Sequence, residues 1–201
     1  MWLSTDPDSQ RLQELLGFLL RIDDLKQVER QNPTADGKRR ERTAEHSWHV
    51  AMACLVLSRF ASEKVDVERA AALAIVHDLP EVEVGDTFVY GPLERTRRSR
   101  EIGALQKLIR PLPPQEANQV SERWDEYEYT RTPEGRYVMA LDVLLPIFLN
   151  SSAGDQSSWY QHGVTAAAVR QRVDRVRPSV PALAQLADQT IDDAVGRGLL
   201  K

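Results

Sequence analysis

The sequence predicts an all-α protein, and three observations support this class. Apolar residues recur at the three- and four-residue spacing of helix faces in most parts of the chain. No segment alternates apolar and polar residues convincingly with the two-residue period of a half-buried strand. Prolines, turn residues and N-capping residues divide the chain into segments of ordinary helix length.

Composition sets the broad class. The chain has 201 residues, of which 42% are hydrophobic and 28% charged, so we expect one soluble, globular domain. A formal net charge of −4 argues against a nucleic-acid-coating surface. The single cysteine, Cys54, cannot form an internal disulfide, and a reducing cytoplasm is the expected location. We find no leader-like start and no run approaching the roughly 20 apolar residues of a membrane span, so we expect no membrane partner.

The first two helices are predicted from leucine spacing and a capping residue. A helix over about residues 9–30, capped by Asp8 or Ser9, would place leucines 12, 15, 16, 19 and 20 on one face. Residues 31–37 form a loop, and a cationic run precedes Thr43. Thr43 is predicted to cap a second helix, which carries His46 on its apolar stripe with Val50, Ala53, Leu57 and Phe60.

Later helices follow the same logic. Residues 67–79 place Ala70, Leu73, Ala74 and His77 on one face. A charged, exposed helix is predicted over residues 93–110, and another over 115–129 presents Trp124 and Tyr127 as exposed-looking aromatics. Thr132 and Pro133 begin a helix with Asp142 inside its apolar stripe. We predict a polar loop over 150–163, then helices over 165–176 and 179–195, with Gly196 as a C-cap.

The stretch from Leu73 to Thr87 carries the densest chemistry. His77 and Asp78 stand side by side at the end of an apolar helical run that Pro80 terminates. Glu81 and Asp86 follow within a few residues. A buried imidazole and carboxylate both need partners, and a divalent cation would satisfy the two together.

Further ligands are expected from two other helices. An inward-facing His46 alone would usually be a satisfied core residue, and Asp142 alone would usually pair with an arginine. Three helices that each point a ligand type inward favour a metal site of His46, His77, Asp78 and Asp142, for Mn, Fe, Co, Ni, Zn or Mg.

Other polar side chains have weaker assignments. His49 is expected to support the site or to pack, and His162 to lie either on a substrate wall or on the surface. The arginines at 97, 98 and 100 are expected on a solvated helix face.

Four sequence blocks resemble the HD-domain phosphohydrolase superfamily, in the branch with the 5′-deoxynucleotidases and HD-domain-containing protein 2. The blocks are Leu25-Lys26…Arg30, residues 39–48 around His46, residues 76–87 from Val76 to Thr87, and Ala140-Leu-Asp142…Leu145-Pro146…Asn150. The resemblance implies an HD-domain helical bundle that fills residues 1–201 as a single domain, with its core at about 15–195.

The resemblance also implies roles for individual residues. His46, His77, Asp78 and Asp142 match the divalent-metal ligands, and Arg30 matches a phosphate-contacting arginine. By position, Glu81 and Asp86 match catalytic carboxylates: Glu81 one that assists proton transfer, Asp86 one near the sugar. In some relatives both carboxylates hold further metal ions instead. Arg30, Asp86 and Thr87 are the expected substrate contacts. Gln31 replaces a tryptophan of the nucleotidase branch, which bears on substrate preference more than on the chemistry.

These observations predict a divalent-metal-dependent phosphomonoester hydrolase for (deoxy)nucleoside 5′-monophosphates that acts as a homodimer. One alternative is a phosphohydrolase for another small phosphorylated metabolite. A second is a non-catalytic nucleotide-binding regulatory protein with a structural metal, against which the presence of both Glu81 and Asp86 argues.

Overall fold

The computed structural model describes residues 6–201, and this part of the chain is built from helices around one short β-hairpin. The helices are α1 (Pro7–Ile22), α2 (Thr43–Leu57), α3 (Val67–Val76), α4 (Glu81–Val84), α5 (Arg97–Ile109), α6 (Pro114–Glu128), α7 (Pro133–Ala153), α8 (Ser158–His162), α9 (Ala166–Val176) and α10 (Pro181–Gly196). Short 3₁₀ turns occupy Asp23–Lys26, Ser58–Phe60, Pro92–Thr96, Gly154–Gln156 and Arg177–Ser179. The all-α prediction is confirmed.

Helix α7 is the centre of the bundle. It packs against α2, α3, α6, α9 and α10, and Val138, Leu141 and Leu144 are fully buried. Thr132 caps its start, with Pro133 in the first turn, as the sequence predicts. Pro146 lies inside the helix and has no N–H to donate to the carbonyl of Asp142 one turn earlier.

The same helix corrects the expectation that no segment approaches the length of a membrane span. Pro133–Gln156 contains a window with a mean hydropathy of 1.4, which is long and apolar enough to cross a bilayer. The structure buries 61% of that window inside the protein, the pattern of a core helix.

Helices α2 and α3 lie side by side and bring two predicted ligands to α7. Arg42, rather than Thr43, is the N-cap of α2, and its backbone N–H donates to the Glu45 carboxylate at 3.0 Å. Thr43 is therefore the first helical residue, and its hydroxyl is available for a contact elsewhere. Asp66 caps α3, which ends at Val76, so that His77 is the C-cap residue.

A β-hairpin replaces the end of the predicted first helix. Helix α1 begins at Pro7 with Asp6 as its cap, rather than Asp8 or Ser9, and it ends at Ile22. Strand β1 (Glu29–Pro33) then pairs antiparallel with β2 (Arg40–Arg42). The hairpin buries Arg30 and Glu41, and its first strand packs against α7.

Two surface predictions are wrong. Trp124 and Tyr127 are buried, with 1% and 4% of their surface exposed, because α6 packs this face against α3 and α7. Trp124 donates a hydrogen bond to the carbonyl of His77, and Tyr127 donates one to Asp142. Residues 150–163 are largely helical, and Asn150 and Trp159 are buried. Helix α1, in contrast, buries none of its residues.

Candidate metal centre and active-site cavity

His46 projects from the first turn of α2 into the protein interior and is fully buried. Its Nε2 atom lies 2.9 Å from Asp142 Oδ1, and its Nδ1 atom lies 3.4 Å from the buried carboxylate of Glu41. A carboxylate beside the second ring nitrogen is the usual means of orienting a metal-ligating histidine.

His77 is oriented by the end of α3. Its Nδ1 atom lies 2.7 Å from the carbonyl oxygen of Ala74, to which it is placed to donate, so its Nε2 atom is left as the acceptor. Nε2 is buried without a hydrogen-bond partner, and the nearest polar atom, Asp78 Oδ2, is 3.1 Å away. An acceptor nitrogen held in this way is suited to a cation.

Donor atoms of His46, His77 and Asp142 lie within 4.8 Å of one another, and Asp78 Oδ2 lies beside the two imidazoles. In addition to the contacts above, His77 Nε2 lies 3.8 Å from Asp142 Oδ1, and His46 Nε2 lies 3.9 Å from Asp78 Oδ2. Donor atoms that each bond one cation at about 2.1 Å are at most about 4.2 Å apart, so these four imidazole–carboxylate separations are those of ligands to a divalent ion. The donor set of two imidazoles and two carboxylates suits Mn, Fe, Co, Ni or Zn, and Mg as a harder alternative.

The electrostatics of the cluster favour a positive charge. Burial opposes ionisation of His77, but Asp78 and Asp142 outweigh it and raise the pKa of His77 well above its usual value. Burial likewise disfavours the ionised form of Asp142, yet His46 and His77 lower its pKa well below its usual value. A bound cation would take the place of the imidazole proton.

Arg30 and Asp86 lie beside the cluster. Arg30 Nη1 donates to Asp78 Oδ2 at 2.9 Å, and it lies 3.6 Å from Asp86 Oδ1. Asp86 follows Gly85, whose φ of 70° permits the turn, and its Oδ2 accepts the backbone N–H of Gln31 at 3.1 Å. Asp86 thereby joins the turn after α4 to β1.

Glu81 is the other buried carboxyl at this site. Thr43 Oγ1 donates to Glu81 Oε2 at 2.7 Å, and Glu81 Oε1 lies 4.0 Å from Arg30 Nη1. Burial and then the charge of Asp78 raise the pKa of Glu81 well above its usual value. Thr87 is buried nearby, and its hydroxyl accepts from Arg100 at 2.5 Å.

A cavity of about 390 Å³ opens onto these side chains. Its wall includes Asp78 and Asp142 together with Glu81, Asp86, Arg30 and Thr87, so each predicted catalytic and substrate residue lines it. His46 and His77 lie behind this wall. The cavity also exposes an apolar surface formed by Val89, Tyr90, Met139, Val143, Ile147 and Trp159.

The remaining histidines are outside the donor cluster, although His49 Nδ1 lies 4.0 Å from Glu41 Oε1, the carboxylate that also faces His46. His49 stacks on the exposed Trp48, with ring centroids 6.3 Å apart, and His162 is exposed and packs against Phe88 at 4.6 Å. Of the two roles left open for His162, the surface one agrees with this position.

The arginine run on α5 is not a simple solvated face. Arg97 and Arg98 pair with the buried Glu128, at 3.1 and 2.6 Å, and both line the cavity.

Sequence reasoning missed several residues of this site. Tyr127 donates its hydroxyl hydrogen to Asp142 Oδ2 at 2.8 Å, and Trp124 Nε1 donates to the carbonyl oxygen of His77 at 3.0 Å. The missed cavity residues also include Glu101, Arg172 and Arg175. Tyr127 and Trp124 are three residues apart on one helix face, which was the available signal.

Comparison with known proteins decides the family. The model of the HD domain family matches residues 22–184, which is most of the chain. The chain belongs to the HD domain family. The resemblance drawn from the four sequence blocks is therefore confirmed.

Several curated relatives of this HD-domain protein are named 5′-deoxynucleotidases. It is 28% identical to human 5′-deoxynucleotidase HDDC2 over 130 residues, which are 64% of this chain and 62% of the human protein. Bovine 5′-deoxynucleotidase HDDC2 is 31% identical over the same shares of the two chains. Saccharomyces cerevisiae 5′-deoxynucleotidase YGK1 is 27% identical over 51% of this chain and 48% of its own length. This HD-domain protein thus spans about three fifths of the HDDC2 chains.

Solved structures extend the comparison to the whole fold. A predicted metal-dependent phosphohydrolase from Magnetospirillum magnetotacticum MS-1 superposes with a TM-score of 0.91 and 36% identity, covering 98% of this chain and 99% of its own. A conserved hypothetical protein from Pyrococcus furiosus has a TM-score of 0.54 at 23% identity, covering 87% of this chain and 98% of its own. The second likeness concerns the fold alone.

Proposed function

We propose that this HD-domain protein is a divalent-metal-dependent phosphohydrolase that converts (deoxy)nucleoside 5′-monophosphates to nucleoside and phosphate. The observation that carries this proposal is the cluster of His46, His77 and Asp142 donor atoms, with Asp78 next to it, beside a cavity. The names of the HDDC2 and Magnetospirillum relatives support both the activity and the need for a metal.

The four donors would hold the cation. When bound, the cation lowers the pKa of water and neutralises phosphate charge. Arg30 brings a second, fixed positive charge to the same wall of the cavity, and its guanidinium suits a phosphate through paired N–H groups. In the described chain Arg30 is held by Asp78 at 2.9 Å, so its head group is already oriented.

Glu81 is the proposed proton-transfer group. Hydrolysis forms a bond from water oxygen to phosphorus and breaks the bond from phosphorus to the ester oxygen. The ester oxygen must gain a proton, and a proton of the attacking water, released from the phosphate product, restores the donor. Burial and the charge of Asp78 raise the pKa of Glu81, which favours the protonated carboxyl, and the Thr43 hydroxyl donates to one of its oxygens. Glu81 is therefore suited to donate its proton to the departing sugar oxygen. The alternative role, in which Glu81 and Asp86 hold additional metal ions, makes a different prediction on metal content.

Asp86 is the proposed sugar-binding residue. One oxygen of its carboxylate is held by the Gln31 backbone, and the side chain lines the cavity. A carboxylate there accepts a hydrogen bond from a sugar hydroxyl and thereby selects between sugars.

A hydrolase for another small phosphorylated metabolite is the second candidate. Gln31, which stands where the nucleotidase branch has tryptophan, does not contribute to the cavity wall. This departure is the observation that favours a different organic group on the phosphate.

The test is a phosphate-release assay on protein stripped with chelator and reloaded separately with Mn, Co, Fe, Ni, Zn or Mg. The substrates are deoxynucleoside and ribonucleoside 5′-monophosphates, a 3′-monophosphate and sugar phosphates. We expect metal-dependent release with the 5′-monophosphates preferred. Preference for a sugar phosphate would select the second candidate, and binding without release under every metal would select the non-catalytic alternative.

We also propose a cytoplasmic homodimer. The aromatic residues first expected to support a dimer, Trp124 and Tyr127, are buried and do not. Support comes instead from α2, where Trp48 and Val56 are 65% and 64% exposed, and from the exposed leucines of α1. We expect a dimer mass by light scattering and a monomer mass for Trp48→Glu combined with Val56→Glu. A wild-type monomer at micromolar concentration would contradict the dimer, and fractionation of cells tests the location.

A further inference from the structure

Helix α9 presents two arginines to the cavity without an acidic partner. Arg172 is half-buried, Arg175 is exposed, and both belong to the cavity wall. Within residues 6–201, no carboxylate oxygen lies within 4.0 Å of either guanidinium, and neither donates a hydrogen bond.

The other arginines of this region are paired. Arg170 on the same helix contacts Asp192 at 2.6 Å, and Arg177 contacts Asp188 at 2.9 Å. Asp174 lies between the two cavity arginines in sequence, yet it pairs with Arg177 at 2.8 Å. The acidic residues of α9 and α10 therefore form ion pairs with arginines that do not line the cavity, and none pairs with the two arginines that do.

The arginines that line the cavity also divide into paired and unpaired ones. Five arginines line it in the described chain; Arg30 is paired with Asp78, and Arg97 and Arg98 are paired with Glu128. Arg172 and Arg175 therefore carry the cavity's uncompensated positive charge. Neither contacts the carboxylates at the metal centre, so their charge is not needed to balance that cluster.

The metal centre and the α9 arginines share one cavity and one central helix. Helix α7 carries Asp142 and the apolar wall residues Met139, Val143 and Ile147, and it packs against α9. A ligand whose phosphate is at the metal centre has an apolar wall for its organic body and two cationic side chains on α9. Guanidinium groups recognise phosphate and carboxylate through paired hydrogen bonds.

We propose that Arg172 and Arg175 bind a second anionic group of the substrate, which is therefore a phosphomonoester that bears another phosphate or a carboxylate. This inference rests on the proposed phosphohydrolase function, and it moves the preferred substrate from simple nucleoside 5′-monophosphates to phosphomonoesters with a second anionic group. The two arginines bind the part of the substrate that does not react.

The experiment compares kcat/KM within matched substrate pairs on the metal-loaded protein. One pair is deoxyadenosine 5′-monophosphate and deoxyadenosine 3′,5′-bisphosphate, which tests a second phosphate. The other is uridine 5′-monophosphate and orotidine 5′-monophosphate, which tests a carboxylate. We expect the doubly anionic member of at least one pair to be preferred at least tenfold, and the pair that shows it identifies the group.

The variant Arg172→Gln/Arg175→Gln should reduce that preference ratio at least tenfold. Arg170→Gln, on the outer side of the same helix, should keep it. Equal kcat/KM within both pairs for the wild-type protein overturns this inference and leaves the phosphohydrolase function standing. An undiminished ratio in the double variant also overturns it.

A wild-type protein that hydrolyses nothing overturns the proposed function instead. The arginine site is then tested by calorimetric titration with the same two pairs. Tighter binding of a doubly anionic member, lost in the double variant, supports the site, and equal binding overturns it.

Discussion

The two oxygens of the Asp142 carboxylate have different partners, the Tyr127 hydroxyl and the His46 ring. The Tyr127 hydroxyl donates to Asp142 Oδ2 at 2.8 Å, and Asp142 Oδ1 faces His46 Nε2 at 2.9 Å. Helix α6 thereby fixes the rotation of a carboxylate on α7. The same helix fixes His77 through the bond from Trp124 to its carbonyl oxygen.

Tyr127→Phe should weaken metal binding without unfolding the protein. The substitution removes the hydroxyl that orients Asp142 and keeps the buried ring. Loss of such a supporting contact typically costs about 10- to 100-fold in metal affinity. Titration with a fluorescent metal competitor measures the change, and Tyr160→Phe, at an exposed position, is the control. Equal affinity in both variants would remove Tyr127 from the support of the site.

Asp78→Ala should abolish stoichiometric metal binding and activity together. The variant removes one donor and leaves Arg30 without its 2.9 Å partner. The metal should also stabilise the wild-type protein, by about 2.7 kcal/mol at a free concentration 100 times its Kd. Elemental analysis and thermal unfolding with and without chelator measure both effects, with Asp155→Ala as an exposed control. Full metal content in Asp78→Ala would refute the ligand assignment.

Glu81→Ala separates proton transfer from metal binding. If Glu81 moves a proton, the variant keeps its metal and its nucleotide affinity while kcat falls by about two to four orders of magnitude. Glu83→Ala is the matched control, because Glu83 is on the same short helix but pairs with Arg21 at 2.8 Å outside the cavity. Reduced metal stoichiometry in Glu81→Ala would indicate a second metal ion, and unchanged turnover would exclude Glu81 from the reaction.

Asn150 joins α7 to the hairpin that carries Arg30. Its Nδ2 donates to Asn32 Oδ1 at 2.9 Å, and its Oδ1 accepts from the Ser158 backbone at 2.8 Å. Asn150→Ala leaves these buried groups without partners, which should lower the free energy of unfolding by about 1–3 kcal/mol. Chemical denaturation of this variant and of Asn118→Ala, an exposed control, tests the prediction. Similar unfolding midpoints would contradict it.

Glu101 should make stability fall as pH rises. Burial raises its pKa to about 8 from a usual value of 4.5, despite the opposing charge of Arg97. Between these two pH values the folded protein binds more protons than the unfolded chain, so this group reduces the free energy of unfolding as pH increases. Glu101→Gln should flatten the dependence between about pH 5 and pH 8, relative to the exposed control Glu122→Gln. Urea denaturation across that range measures it, and an unchanged slope would contradict the prediction.

The helices and the inward direction of the ligands could be predicted because they follow from local sequence. Helical spacing places His46 and His77 on apolar stripes, and both are buried. The proximity of His46 to Asp142 depends on tertiary packing, and it was inferred by combining ligand types from separate helices. The division of roles between Glu81 and Asp86 is still a prediction.

The features that sequence reasoning missed depend on partners far away in the chain. Trp124 and Tyr127 look like surface aromatics until α3 and α7 supply their acceptors. The β-hairpin was missed because its strands are short and contain mainly polar residues. The unpaired state of Arg172 and Arg175 is evident only when the carboxylates around them have been located.

The dispersal of the donor atoms along the chain has a consequence for biosynthesis. His46 and Asp142 are 96 residues apart, and His77, the C-cap residue of α3, lies between them in sequence. A nascent chain on the ribosome therefore lacks a complete donor set until α7 has emerged from the exit tunnel. If these residues bind the cation, its capture has to wait for the central helix, after α2 and α3 are free to pair, and its binding would then stabilise the assembled bundle.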